Sequence, residues 1–192
     1  MTAASRGPTD QAGLLETRVR ALNRNAKPDH RRRGTIARIP ERGEAMSVEG
    51  HAASIEQNKA LIRRFYAEMD RGNIDAMDEL VAENYLNHHP PPFPGLAPGR
   101  EGLKQAFRMF LAGTPGTHEI LDQIAEGDRV VTMLRARGKH AGEMAGIPPT
   151  GNDMDVTAIA VHRIRDGVIV EHWGEVDSFA LMTQLGLIPT RR

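Results

Sequence analysis

The chain has 192 residues, no cysteine and no net formal charge, with 25 Lys and Arg against 25 Asp and Glu. A chain without cysteine excludes disulfides, thiolate metal sites and cysteine nucleophiles, and it fits the cytoplasm. No apolar run approaches the roughly 18–20 residues that a membrane-spanning helix needs, so we expect no membrane partner.

Charge is unevenly distributed along the chain. The first 45 residues carry ten Lys and Arg against five Asp and Glu. Because the whole chain has no net charge, the remaining residues carry five more acidic than basic side chains. An acidic main body argues against nucleic acid as a partner.

Residues 1–50 lack any sustained helical or strand periodicity and are rich in Arg, Ala, Gly and Pro, which predicts a disordered extension. We interpret Met46 as an alternative start, with the residues before it an artefact of gene-start assignment, and expect the folded domain over residues 54–189.

Helical periodicity predicts three helices, over residues 56–71, 74–82 and 100–112. Ser54 is the predicted N-cap of the first helix, and Gln57 completes its capping box. Apolar residues at helical spacing are expected to face the core, namely Leu61, Ile62, Phe65, Tyr66, Met69, Met77, Leu80, Val81, Leu103, Phe107, Phe110 and Leu111.

After residue 115 the apolar pattern alternates, which predicts two β-hairpins. The first pairs residues 118–126 with 129–140, and the second pairs residues 154–165 with 168–177 through an Asp-Gly turn. Helices followed by an antiparallel sheet indicate an α+β domain. We expect its sheet to curl around a pocket on the side that packs against the helices.

The last predicted strand carries the only tryptophan of the chain. Alternation places Glu171, Trp173, Glu175 and Asp177 on one face and His172 on the other. A large aromatic ring beside carboxylates predicts a pocket wall with an acid/base group at its rim. His172 is then expected outside the pocket or at a subunit contact.

Several short motifs occur in an order typical of one family. They are Phe65-Tyr66, Asn87-His88-His89, the segment 146–151 (Gly-Ile-Pro-Pro-Thr-Gly), Trp173-Gly174-Glu175-Val176-Asp177 and Gln184-Leu185-Gly186. With these motifs, residues 54–189 resemble the SnoaL-like polyketide cyclases, or ester cyclases, of the nuclear transport factor 2-like superfamily, which includes ketosteroid isomerase.

The resemblance implies a cone-shaped α+β fold around an apolar pocket, and usually a homodimer formed through the sheet. It implies ring closure of a hydrophobic carbonyl compound by intramolecular aldol condensation, with no metal or organic cofactor. By the match to the Trp-x-x-x-Asp pattern, the acid/base role of the family falls on Asp177. Trp173, Phe65 and Tyr66 are the aromatic candidates for substrate binding.

Asp177 also fits a second role, because it immediately precedes a predicted helix over residues 178–185. A carboxylate that caps a helix is held in its ionised form, whereas a general acid/base needs a pKa that burial raises towards the working pH. Both roles stay open for Asp177. If it caps the helix, Glu175 becomes the better acid/base candidate, although a solvent-facing strand position suits Glu175 equally.

Three histidines are further candidates. Adjacent strand residues point to opposite faces, so His88 and His89 cannot easily chelate one ion, and we expect no metal site there. One of the two is expected to line the pocket and to hydrogen-bond a substrate carbonyl. His162, in the middle of a strand, is either a catalytic imidazole in the cavity or a core histidine with its hydrogen bonds made internally.

Two other functions remain open on the same scaffold. One is a non-catalytic domain that binds a small hydrophobic molecule. The other is a different reaction, isomerisation or epoxide hydrolysis. Limonene epoxide hydrolase, another member of the superfamily that the chain resembles, uses an Asp-Arg-Asp arrangement around a water. Arg135 and Arg137 are the arginine candidates here, although the sequence shows no matching triad.

Overall fold

The structure is a computed structural model that describes the backbone of residues 48–188. Most of the predicted extension and the proposed start at Met46 lie outside the described residues. The helical elements are α1 (Val48–Asp70), a 3-10 turn (Ile74–Ala76), α2 (Met77–Leu80), α3 (Gly99–Gly113) and α4 (Ser178–Gln184). The strands are β1 (Val81–Asn87), β2 (Gly116–Glu126), β3 (Arg129–Lys139), β4 (Asp153–Arg165) and β5 (Val168–Val176). None of the helices within residues 48–188 is long and apolar enough to cross a membrane.

The five strands form one sheet in the order β1-β5-β4-β3-β2. Strands β2 to β5 pair antiparallel, as the two predicted hairpins require, and β1 adds in parallel beside β5. The α+β fold predicted from the sequence is confirmed.

Two predictions about helix ends are wrong. Helix α1 begins at Val48, so Ser54 and Gln57 lie inside it rather than at its N-terminus. The second predicted helix ends at Leu80, and Val81 begins strand β1. Val81 is nevertheless buried as expected, because its β-branched side chain packs equally well from a strand.

The core lies between α1, α3 and one face of the sheet, which we call the inner face. It contains the predicted apolar residues of the helices, together with Tyr85 of β1 and Val130, Leu134, Ala160, Ile164 and Ile169 of the sheet. Phe110 differs from the prediction, since it is 37% exposed. Its ring contacts that of Phe93, in the loop between β1 and α3, with 4.9 Å between the ring centroids.

A β-bulge in β5 decides which residues face the core. Ile164 pairs with Ile169, but the preceding residue Arg163 pairs with Glu171, so Val170 is an extra residue in β5. One extra residue reverses the alternation beyond it. His172, Gly174 and Val176 therefore share the inner face with Ile169, whereas Glu171, Trp173 and Glu175 lie on the opposite, outer face.

A close backbone approach fixes how α3 meets the preceding loop. The Cβ of any side chain at Gly102 would overlap the carbonyl oxygen of Ala97. The backbone N–H of Ala97 also donates to the Gln105 side chain, at 2.9 Å. Glycine at 102 therefore serves packing, at the cost of helix propensity.

Gly102→Ala is expected to destabilise the protein by about 1–3 kcal/mol, because backbone must shift to admit the methyl group. On an unconstrained helix the same change would stabilise by up to about 1 kcal/mol. Urea unfolding followed by circular dichroism measures the difference. Arg108→Ala, on the exposed side of α3, is the control and should change stability by about 0.5 kcal/mol or less. A higher urea midpoint for Gly102→Ala would contradict the proposed packing.

Candidate functional site

The sheet separates the predicted site residues into two groups. Phe65, Tyr66 and His162 lie together on the inner side, whereas Trp173, His88, His89 and Glu175 lie on the outer side. Trp173 lies on the face away from the helices, because the bulge at Val170 turns this residue outward.

On the outer face, Trp173 belongs to a layer of stacked and charged groups. The His88 ring stacks on the indole at 4.1 Å between centroids with only 5° between the planes. The guanidinium of Arg129 lies 5.7 Å from the centre of the indole ring, within cation–π range. His88 therefore covers an aromatic surface rather than lining the interior, contrary to prediction.

Glu171 is the best-connected carboxylate of this layer. It lies 2.9 Å from His88 Nε2, and Arg163 donates to its other oxygen at 3.0 Å. Hydrogen bonds from His88 and from Arg163 hold the pKa of Glu171 below its ordinary value, against the opposing effect of burial. Glu171 is thereby suited to a structural ion pair rather than to proton transfer near neutral pH.

His89 and Glu175 form a similar but more exposed pair. His89 Nδ1 lies 2.9 Å from a carboxylate oxygen of Glu175. The same nitrogen lies 3.3 Å from the carbonyl oxygen of Gly174. Both paired histidines therefore lie on the outer face, away from the core.

On the inner face, His162 is completely buried. Its ring contacts those of Phe65, Tyr66 and His172, with centroids 5.5, 5.9 and 4.9 Å away. Among the described residues, neither ring nitrogen has a hydrogen-bond partner. Burial, and to a lesser extent the neighbouring His172, lowers the pKa of His162 well below its ordinary value, so the ring is neutral.

His172 is the second interior histidine, and its placement corrects the sequence prediction. It lies on the inner face beside His162 instead of outside the pocket or at a subunit contact. Burial, followed by the nearby His89 and His88, lowers the pKa of His172 to about 4. Two neutral imidazoles therefore meet within a largely apolar core.

Three other polar residues, one buried and two partly buried beside the core, were not recognised from the sequence. Tyr85 is buried, and desolvation raises its pKa. His118 donates through Nδ1 and its backbone N–H to the two oxygens of Asp70, at 2.6 and 2.8 Å. The His118 ring lies 5.5 Å from that of Tyr66. An isolated Tyr, His or Asp carries no periodic signal, so only the tertiary contacts identify them.

His140, at the end of β3, was likewise missed. It is fully buried. Thr150 of segment 146–151 contacts the Nδ1 atom of His140 through its hydroxyl at 3.1 Å and through its backbone N–H at 3.3 Å. Because a backbone N–H can only donate, Nδ1 is the acceptor and Nε2 carries the proton. The two contacts tie segment 146–151 to the end of β3.

Asp177 lies at the far end of β5, where it begins α4. Its Oδ1 accepts the backbone N–H of Ala180 at 2.9 Å, so it is the N-cap of the helix. The carboxylate is exposed. Within residues 48–188, Oδ2 makes no hydrogen bond, and only one of the two oxygens is committed to the cap.

Asp177 also lines a shallow, open surface depression of about 510 Å³. Apolar side chains in the depression come from Leu121, Val156 and Ala180. Arg135 lies in it as well and donates to both oxygens of Asp155, at 2.6 Å each. These hydrogen bonds hold the pKa of Asp155 below its ordinary value.

Asp177 and His162 are too far apart to act on the same atom. The backbone N–H of Asp177 donates to the carbonyl of Thr157, which lies five residues from His162 along β4. Five strand residues span about 16 Å. Two of the predicted catalytic residues therefore belong to separate sites.

Potential metal ligands do not converge within residues 48–188. Among the described residues, no group of three or more His, Asp or Glu side chains is placed to hold a metal ion.

The two interior histidines predict how stability depends on pH. Their lowered pKa values mean that the unfolded chain binds more protons than the folded one between about pH 4 and pH 6.5. The free energy of unfolding should therefore fall as pH falls through this range, by up to about 1.4 kcal/mol per pH unit for each histidine.

His162→Phe should make this pH dependence shallower, because one of the two contributing groups is removed. Urea titrations at pH 4.5, 5.5 and 6.5 would measure it. Phe107→Leu, a core change that removes no titratable group, should keep the wild-type slope. An unchanged slope in His162→Phe would show that His162 binds protons as readily in the folded protein as in the unfolded chain.

Comparison with known proteins gives a consistent result. Residues 60–185 match the SnoaL-like polyketide cyclase family. Aklanonic acid methyl ester cyclase DauD from Streptomyces sp. (strain C5) is 30% identical over 134 residues, which cover 66% of this chain and 80% of DauD.

Solved structures agree with the sequence match. TsrD from Streptomyces laurentii is 27% identical with a TM-score of 0.63, and the match covers 69% of this chain and 97% of TsrD. IdmH from Streptomyces antibioticus is 33% identical with a TM-score of 0.60, over 68% of this chain and 99% of IdmH. The family match spans most of the described domain, and the chain belongs to the SnoaL-like polyketide cyclase family.

Proposed function

We propose that this protein is a cofactor-independent cyclase that closes a ring in a hydrophobic, polyketide-like carbonyl compound by an aldol-type reaction. The carboxylate of Asp177 is the general acid/base. The observation that carries this assignment is that Asp177 lines a surface depression with one oxygen fixed by the helix cap and the other without a hydrogen bond among residues 48–188.

The two roles of Asp177 are compatible because they use different oxygens. The cap bond to Ala180 fixes the orientation of the carboxylate, and the free Oδ2 takes a proton from the carbon α to a carbonyl. Protons between two carbonyl groups, as in polyketide chains, are acidic enough for a positioned carboxylate to remove. The resulting enolate attacks a second carbonyl carbon, and Oδ2 returns the proton to the new alkoxide. The product is an isomer of the substrate.

Arg135 supports the charge that develops during this reaction. Asp155 holds its guanidinium through two hydrogen bonds, and the remaining N–H groups can donate to an enolate or alkoxide oxygen. Leu121, Val156 and Ala180 provide apolar surface for the carbon skeleton. Glu175 is not among the residues that line the depression and is paired with His89, so it is the weaker candidate.

Asp177→Asn tests the assignment without removing the cap, because Asn caps helices as well as Asp does. We expect the free energy of unfolding to stay within about 0.5 kcal/mol of wild type, while kcat falls by about 10²–10⁴-fold. Aklanonic acid methyl ester, the compound that names two relatives, is the first substrate to test. Chromatography with mass detection would reveal a product of unchanged mass and altered retention.

Glu175→Gln is the matched control, since it neutralises a carboxylate on the same strand. It should keep wild-type activity. An active Asp177→Asn variant together with an inactive Glu175→Gln or His162→Gln variant would move the catalytic centre away from the depression. Ligand binding without turnover, unaffected by Asp177→Asn, would instead indicate a binding protein.

Epoxide hydrolysis is a second candidate, favoured by one observation. Asp155, Arg135 and Asp177 line the same depression, although the sequence alone gave no triad. This places two carboxylates and an arginine around a common space, the combination used by the epoxide hydrolase relatives. Diol formation from a terpene epoxide that is lost in Asp177→Asn and Arg135→Gln would favour this reaction over cyclisation.

We also propose that the protein forms a homodimer through the outer face. The paired row Ile124, Val131, Val161 and Trp173 crosses four strands of this face, with Met133 and Ile159 beside it. Ile124 and Ile159 are 66% and 50% exposed. Charged groups flank the apolar row on both sides, as expected for an interface with a polar rim.

Ile159→Lys is expected to convert a dimer into a monomer, because it places a charge in the apolar centre of this face. Light scattering coupled to size-exclusion chromatography would measure the mass. Met109→Lys, on α3 and on the other side of the sheet, is the control and should leave the dimer intact. A wild-type monomer at all concentrations would contradict the proposal.

A further inference from the structure

We propose that Gln184 is a positioning residue, which holds α4 against the N-terminal end of β4 and thereby keeps Asp177 in place opposite Arg135. The inference rests on the proposed function, in which these two side chains act on one ligand. Gln184 lines the depression with them, but no step of the proposed reaction uses its side chain.

Strand β4 has an edge that β5 covers only in part. Strand β5 ends at Val176, which pairs with Ala158, so within residues 48–188 no strand lies beside residues 153–157 on this edge. Backbone N–H and C=O groups at such an edge need another partner. The carbonyl of Thr157 accepts the backbone N–H of Asp177 at 3.0 Å, which leaves the groups of Asp155 to be paired.

The primary amide of Gln184 replaces the missing strand at Asp155. Its Oε1 accepts the backbone N–H of Asp155 at 2.7 Å, and its Nε2 donates to the carbonyl of the same residue at 2.8 Å. We call these two hydrogen bonds the amide clamp. A carboxamide has an acceptor and a donor like those of a peptide group, so it pairs with an edge residue as a neighbouring strand would.

The amide clamp joins α4 to the charged groups of the depression. The carboxylate of Asp155 holds the guanidinium of Arg135 through two hydrogen bonds, and Asp177 caps the first turn of α4. Gln184 therefore connects the helix that carries the proposed acid/base to the residue that holds the proposed oxyanion donor.

Within residues 48–188, few other contacts determine where α4 lies. No residue of this helix is fully buried, and Phe179 is 72% exposed. The carbonyl of Gln184 accepts a hydrogen bond from the Asn152 side chain at 3.2 Å, and Leu185, just beyond the helix, is buried. The C-terminal end of α4 is thus held at residues 184 and 185.

Loss of the amide clamp is expected to let α4 tilt about its N-terminus. The backbone of Asp177 is fixed by its hydrogen bond to Thr157, but its carboxylate follows Ala180 through the cap. A tilt therefore moves Oδ2 of Asp177 relative to Arg135. A displacement of about 1 Å between reacting groups can slow a reaction by about 10²-fold.

Gln184→Met tests the clamp, because methionine has a similar volume and helix propensity but cannot make the two hydrogen bonds. Hydrogen exchange followed by NMR would measure each amide separately. We expect exchange at Asp155 to accelerate about tenfold, since its N–H loses its acceptor. Exchange should accelerate similarly at Ala180 and Leu181, whose N–H groups donate to Asp177.

Kinetics test the consequence for the proposed reaction. With the ester chosen for Asp177→Asn, Gln184→Met should lower kcat by about 10–10²-fold and leave KM within about twofold of wild type, since orientation in the transition state is lost. Thr183→Val is the control on the same helix. It removes a hydroxyl that donates to the carbonyl of Phe179 and should keep the wild-type kcat and exchange rates.

The two measurements separate failure of this inference from failure of the proposed function. A wild-type protein without cyclase activity would contradict the proposed function, while the exchange rates would still decide whether Gln184 positions α4. Unchanged exchange at Ala180 and Leu181 in Gln184→Met would overturn the inference. An active wild type whose kcat is unaffected by Gln184→Met would overturn it as well, because a purely structural clamp alters exchange and stability alone.

Discussion

The extra residue in β5 is the constraint on which the rest of this structure depends. Because strand side chains alternate with a period of two, one inserted residue exchanges the faces of everything that follows it. Ile169 lies in the core before the bulge, and His172 lies on the inner face after it. Without Val170 as the extra residue, Trp173 and Glu171 would point into the core, and a carboxylate would be buried among Phe and Leu side chains.

The bulge thereby separates two kinds of electrostatic environment. On the outer face, histidines meet carboxylates and arginines, and the pKa of Glu171 is lowered by hydrogen bonds from His88 and Arg163. On the inner face, histidines meet aromatic rings, and burial lowers the pKa values of His162 and His172. The same residue type is a partner for charge on one side of the sheet and a neutral hydrogen-bonding group on the other.

Asp177 illustrates how one residue can serve the fold and the proposed chemistry together. Strand β5 ends one residue before it and α4 begins one residue after it, so capping is needed at this position. The cap uses only Oδ1, and it orients the second oxygen at the edge of the depression. A side chain that was already held in place for folding reasons loses little conformational entropy when a ligand binds.

The sequence by itself determined the α+β class, both antiparallel hairpins, the family and most of the apolar residues that the helices contribute to the core, because periodicity and turn chemistry are local signals. It also placed Glu171, Trp173 and Glu175 together on one face. Only the tertiary structure decided that this face lies away from the helices, since the bulge depends on how β5 pairs with β4 and leaves no mark in the alternation of residues. The pairing of His162 with His172, and of Asp70 with His118, was likewise decided by strand register and helix packing, which bring together residues that no sequence spacing connects.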